Sequence, residues 1–170
     1  RVNLPSFMIM ESPITESQYS KILGEENDSE ELKDMITNDD VKNISKILAQ
    51  HFDKEVRRPT QSEWKAAEGV ISLPCGWTEL LADEATGNHR GARLDGRPRF
   101  GEMIGPMAGH RVSQSAHPTK EGIYAQVATP GDRPLPKVGF RLVVSPKRGG
   151  DAPRVPDNAN LSSNIRSELF

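Results

Sequence analysis

The segment RRPTQSEWKAA at residues 57–67 decides how this chain can fold. Pro59 disfavours a helical conformation at the residue before it, so a helix here has to begin after the proline. Thr60 followed three residues later by Glu63 matches a capping box, in which the two side chains satisfy two backbone N–H groups at a helix start. The pattern therefore predicts a short helix that begins at Thr60.

The same helix carries one large apolar side chain. Trp64 lies on its first turn and Ala67 lies three residues further on, so one face pairs a tryptophan with a small residue that lets another element approach. We expect Trp64 to be buried against the closing strand near Phe140.

Other segments occur in a fixed order around this helix. They are FMI at residues 7–9 with PITESQY at 13–19, GWTELLAD at 76–83 and VGFRLV at 138–143. With residues 57–64, they resemble the opening strand and helix, the R-x-P-T-x-x-E-W signature, the G-N-V-W-E-W-x-x-D segment and the closing G-F-R-L-V strand of the formylglycine-generating-enzyme (sulfatase-modifying factor) family. The resemblance covers about residues 7–144.

The resemblance implies a C-type-lectin-like fold. Such a fold is a loop-rich α+β domain with short irregular strands and two or three amphipathic helices. The matching segments assign structural roles to Arg58, Pro59, Thr60, Glu63, Trp64, Glu79, Gly139, Phe140 and Arg141. The third segment departs from the family pattern, because Thr78 and Leu80 replace its two tryptophans.

Composition agrees with one loop-rich domain. The chain has 170 residues, of which 35% are hydrophobic, with 14 Gly and 13 Pro, and this predicts a thin core under many turns. We expect a domain at residues 1–145 and a tail at 146–170 that needs a partner or another surface to become ordered. The formal net charge of −2 does not favour nucleic acid as a partner.

The single cysteine, Cys75, excludes an intrachain disulfide and multi-cysteine metal sites. With no apolar run of membrane-spanning length and no signal peptide, the sequence predicts no membrane association and a location in the cytoplasm or in a particle assembled inside a cell.

Hydrophobic periodicity predicts further elements. Thr15 with Gln18 begins a helix that Gly24 ends, and Asp40 caps a second helix with an apolar stripe from Val41 to Phe52. The acidic run at residues 25–34 is either a solvated helix face, a mobile insert or a partner surface. Strands are expected at residues 7–10, 123–128 and 140–144.

The residues do not support the family's reaction, the oxidation of a cysteine to formylglycine. The resemblance implies a copper site built from two cysteine thiolates in the C-terminal third, and this chain has no cysteine after Cys75. His110 and His117 match no metal-ligand spacing, and no nucleophile motif surrounds Ser113 or Ser115. We therefore expect no cofactor, no metal and no formylglycine-generating activity.

Two function classes remain. The first is a non-catalytic recognition module whose irregular second half binds a protein partner, an identical subunit or a small ligand. The second is an enzyme, or its substrate-binding domain, that uses the scaffold for other chemistry. A pocket where His110, Arg111 and Glu79 converge would favour the enzyme, and a flat exposed surface at residues 87–131 would favour the module.

A basic loop at residues 87–100 is the predicted binding segment. Arginine forks suit carboxylates and phosphates, although these arginines could instead pair with the acidic first half. The candidate binding residues are Arg90, Arg93, Arg97, Arg99, His110 and Arg111. Retroelement-diversified proteins also resemble this fold, but their variable part is rich in Asn and residues 101–139 contain none, which favours a fixed partner.

Overall fold

The computed structural model describes residues 4–85, 98, 110–120, 122, 124–130 and 132–147. Across these residues the fold is α+β, with three helices and two sheets. The elements in chain order are β1 (Met8–Ile9), α1 (Glu16–Leu23), α2 (Asn38–Phe52), β2 (Glu55–Arg57), α3 (Gln61–Ala67), β3 (Thr78–Glu84), β4 (His110–Ala116), β5 (Tyr124–Pro130), β6 (Val138–Gly139) and β7 (Val143–Ser145).

Two sheets divide the strands. One sheet has the order β1-β7-β2 and is antiparallel, with Met8 opposite Val144 and Val56 opposite the same residue on the other side. The other has the order β5-β4-β3-β6, in which β6 runs parallel to β3 and the remaining pairs are antiparallel. The first and last described strands are therefore neighbours.

All three predicted helices form, and each begins with a capping box. Thr15 with Gln18 starts α1, and Thr60 with Glu63 starts α3, as the sequence predicts. The prediction that Asp40 caps α2 is wrong, because Thr37 occupies that position. Asp40 is the third residue of the box, and its carboxylate accepts the backbone N–H of Thr37 at 2.7 Å.

The acidic run does not form a helix. The chain leaves α1 through Gly24, whose φ of 79° is the left-handed conformation that glycine adopts without strain. Leu32 then forms an isolated bridge with Thr15, and the backbone N–H of Lys33 donates to the carbonyl of Ile14. These contacts hold the end of the run against the start of α1.

The predicted closing strand is split between the two sheets. Val138–Gly139 pairs with β3, and Val143–Ser145 lies between β1 and β2. Between them, the carbonyls of Phe140 and Leu142 accept hydrogen bonds from Ile14 and Met10. A single strand over residues 140–144 is therefore wrong, because the chain crosses from one sheet to the other within this segment.

Buried side chains form two clusters. The larger joins α1 and α2 to the crossing segment and contains Ile14, Ile44, Leu48 and Phe140. The smaller contains Trp64 with Ala67, Ile71, Leu81, Ala85 and Val112. Trp64 is buried as predicted, but the expectation that it packs on Phe140 is wrong, since the two rings belong to different clusters.

Candidate functional site

The start of α3 is a saturated polar cluster. Glu63 is fully buried, and its carboxylate accepts two hydrogen bonds from the guanidinium of Arg57, at 2.7 and 2.8 Å. It also accepts the backbone N–H of Thr60 at 2.8 Å. Such a bidentate, charge-assisted pair is strong and fixed in geometry, so this carboxylate holds the chain in place, and its full burial keeps it from the surface.

A second buried carboxylate joins the two halves of the chain. Glu79, in β3, accepts a hydrogen bond from Trp64 Nε1 at 2.9 Å and one from Arg141 Nε at 2.7 Å. The remaining nitrogens of Arg141 donate to the carbonyls of Met10, Glu11 and Ser72. Both charged side chains are fully buried, and each is satisfied by the protein itself.

Arg57 and Arg58 have different environments. We expected Arg58 to be the structural arginine of the signature, but Arg57 forms the ion pair with Glu63. Arg58 is 8% exposed, and its Nη1 has no hydrogen-bond partner among the described residues. The spacing of the R-x-P-T-x-x-E-W signature could have revealed the role of Arg57, because it places the arginine at position 57.

His110, Arg111 and Glu79 do not converge. Arg111 lies opposite Glu84 at one end of β3, and Glu79 lies opposite Gln114 nearer the other end. Arg111 Nη1 donates to the carbonyl of Ala82 at 3.1 Å and lies 3.7 Å from a carboxylate oxygen of Glu84. The pocket that would have favoured an enzyme is not formed by these three residues.

Strand β5 is an exposed strand in the second half of the chain. It lies at one edge of its sheet in the part of the chain that the structure describes. Four successive residues, at positions 125–128, are exposed, so side chains on both faces of the strand reach solvent. Val127 is 39% exposed, and the strand is backed along its whole length by β4.

The predicted basic loop lies mostly outside the described residues. Arg90, Arg93, Arg97 and Arg99 are all in that part of the chain. The backbone N–H of Ala85 donates to the carbonyl of His110 at 3.0 Å, so these two described residues are adjacent.

The described residues contain a separate apolar cavity. It has a volume of about 250 Å³ and lies against the three-stranded sheet, lined in part by Phe7, Met8, Phe52 and Val144. The sequence pattern does not predict this cavity, because its lining residues lie far apart in the sequence.

Metal and thiol chemistry gain no support from the geometry. Among the described residues, no three His, Cys, Asp or Glu side chains are grouped as a metal ion requires. Cys75, a free cysteine, is half-buried. None of the described helices combines the length and apolar composition that crossing a bilayer demands.

Comparison with known proteins identifies two structures with a similar architecture. Treponema denticola variable protein 1 superimposes with a TM-score of 0.60 and 14% identity, over 85% of this chain and 86% of that one. PvdO from Pseudomonas aeruginosa gives 0.50 and 16%, over 70% of this chain and 64% of that one. The similarity is one of fold. No protein-family model and no curated protein matches the sequence.

Proposed function

We propose that this chain is a non-catalytic recognition module on a C-type-lectin-like scaffold of the formylglycine-generating-enzyme type. In this proposal it binds a protein partner through the second half of the chain, with β5 at the centre of the binding surface. The exposure of β5 is the observation that carries the proposal. An edge strand with exposed backbone groups and side chains is a common place for another protein to bind.

The buried carboxylates support a role without catalysis. Glu63 and Glu79 are two of the acidic residues of the signature segments, and both are fully buried and hydrogen-bonded to arginine or tryptophan donors inside the domain. A general acid or base has to reach a substrate proton. These two groups stabilise the scaffold, which leaves the surface to carry the function.

The similarity to Treponema denticola variable protein 1 supports the scaffold assignment only. Its name describes a variable protein, whereas residues 101–139 of this chain contain no Asn. We therefore propose that this chain binds a fixed partner and is not a diversified ligand-binding protein.

A pair of exposed valines provides the test. Val127→Glu places a charge on β5, and Val70→Glu places the same charge at a valine that is 73% exposed and lies before β3. Sedimentation velocity measures self-association first. If the protein is a monomer, each variant serves as bait in affinity capture, with melting temperature as the control for folding.

We expect Val127→Glu to weaken binding at least about tenfold, because a buried unpaired charge is costly at an interface. Val70→Glu should behave like the wild type. Equal binding by both variants, at unchanged melting temperatures, would contradict a binding surface on β5.

A further inference from the structure

Two buried arginine nitrogen atoms near Ala82 of β3 lack a partner. They are Nη1 of Arg58 and Nε of Arg111, neither of which has a hydrogen-bond partner among the described residues. Nearly all buried polar groups in folded proteins are hydrogen-bonded. Leaving one unsatisfied costs about 1–3 kcal/mol, and more for a charged group. Two on neighbouring cations therefore call for an explanation.

The backbone of Ala82 connects the surroundings of the two arginines. The carbonyl of Pro59, next to Arg58, accepts the backbone N–H of Ala82 at 2.9 Å. Arg111 Nη1 donates to the carbonyl of the same residue at 3.1 Å. The backbone thus fixes the neighbour of one arginine and the head group of the other at a single residue of β3.

Arg58 is a buried cation that forms no ion pair among the described residues. Burial, and then the positive charge of Arg111, lower the pKa of Arg58 to about 9. Glu84 lies 3.7 Å from Arg111 and offsets part of its charge. Asp83 brings a second carboxylate to this end of β3, and it accepts the backbone N–H of Gln61 at the start of α3. Neither carboxylate forms an ion pair with Arg58.

We propose that Arg58 and Arg111 form a binding site for a small oxyanion group, a carboxylate or a phosphate. The group accepts hydrogen bonds from Arg58 Nη1 and Arg111 Nε. Two guanidinium groups with unused donors match the paired oxygens of either anion. This site is distinct from the exposed surface of β5 and stands without it.

A structural role and a ligand-binding role for Arg58 predict opposite changes in melting temperature when this residue is replaced. If Arg58 stabilised the domain, its replacement would lower the melting temperature. If instead it is a buried cation kept for a ligand, Arg58→Met should raise the melting temperature in the absence of the anion, because an apolar chain of similar length avoids the cost of the unpaired charge. The same variant should no longer bind the anion.

Thermal unfolding with added sodium phosphate or sodium acetate tests the site at constant ionic strength. We expect a saturable rise in melting temperature for the wild type with at least one of these anions, as binding to the native state requires. Arg58→Met should begin at a higher melting temperature and lose the saturable rise. Lys46→Met, which removes an exposed cation from α2, should respond like the wild type.

Nitrogen-15 spectra of the arginine side chains add a second measurement. The Nε–H signal of Arg111 should shift with the same anion dependence as the melting temperature. A response to acetate alone assigns a carboxylate ligand, and a response to phosphate alone assigns a phosphorylated one. The proposal is overturned if wild type and Arg58→Met respond identically to both anions, or if Arg58→Met is less stable than the wild type without them.

Discussion

Trp64 is fixed by an apolar contact and a polar one. Its ring meets that of Tyr124 edge to face, with centroids 5.0 Å apart, and its Nε1 donates to Glu79. The ring therefore contributes burial, while the N–H satisfies a carboxylate that has no access to water. Each contribution can be removed separately.

We expect Trp64→Ala to lower the free energy of unfolding by about 3–5 kcal/mol through lost burial and the cavity left behind. Trp64→Phe keeps most of the ring but removes the donor to Glu79, which should cost about 1–3 kcal/mol. Urea denaturation measures both. A loss below about 1 kcal/mol for Trp64→Ala would mean that the helix is peripheral.

Thr60→Ala tests the cap of α3 alone. Loss of the hydroxyl that accepts the backbone N–H of Glu63 should cost about 1 kcal/mol. The matched variant at α2 is Thr37→Ala, since Thr37 makes the same contact with Asp40. Similar losses in urea denaturation are expected at both caps, and a neutral effect at Thr60 would contradict the role assigned to its hydroxyl.

Single residues were predictable where the information is local. The box at Thr60 depends on two residues three apart, and the structure confirms it. The spacing of the signature also places its arginine at Arg57, which is the residue that pairs with Glu63. The burial of Arg58 was not predictable in this way, because it depends on contacts with β3 that the sequence pattern does not specify.

At the scale of elements, the pair Glu79–Arg141 ties β3 to the segment that crosses between the sheets. Glu79→Gln or Arg141→Met alone leaves the other group charged and buried without its ion-pair partner, and each should cost about 3–5 kcal/mol. The double variant should cost less than the sum of the two. A double-mutant cycle in urea denaturation measures this coupling, and additive losses would show that the two residues act independently.

Gly139 allows a close approach between elements. A Cβ atom there would lie 3.0 Å from the backbone carbonyl oxygen of Lys33. Gly139→Ala should therefore destabilise the domain by about 1–3 kcal/mol, because backbone must move. Gly69 is the control, since nothing lies within 4 Å of a Cβ at that position. Thermal unfolding measures both variants, and a lower melting temperature for Gly69→Ala than for Gly139→Ala would contradict this interpretation.

The elements also show where sequence patterns stop being informative. The apolar stripe of α2 was predictable because residues three or four apart lie on the same side of a helix. Val41, Ile44 and Leu48 have this spacing and are buried. The break in the closing strand was not. Phe140 and Leu142 are apolar like strand residues, but their carbonyls bond to the segment that follows β1, and that arrangement depends on contacts more than a hundred residues apart.

At the scale of the whole molecule, the chemistry of the resembled family is testable directly. We expect the purified protein to leave a cysteine-containing sulfatase-type peptide unmodified, with or without added copper, because Cys75 lacks a second cysteine to share a copper ion. Mass spectrometry of the peptide is the measurement. A formylglycine aldehyde would contradict the proposal of a non-catalytic module.

We predict that the arginine-rich loop contributes to association with a partner or an identical subunit. Replacing Arg93 and Arg97 with Glu should weaken association with a partner or identical subunit, more strongly at low salt, because the charges meet carboxylates across the interface. The melting temperature should change little. Unchanged assembly with a lower melting temperature would show that the loop pairs with acidic residues of its own domain. Sedimentation velocity at two salt concentrations distinguishes the two results.

The pairing of β1 with β7 has a consequence for protein engineering. Because Met8 lies opposite Val144, the polypeptide enters and leaves the domain at neighbouring points on one sheet. A host protein could therefore accept residues 4–147 as an insertion in a surface loop, with both junctions close together and little strain on the host. A circular permutant that joins these ends by a short glycine linker and opens the chain at the β4–β5 turn should retain the same core.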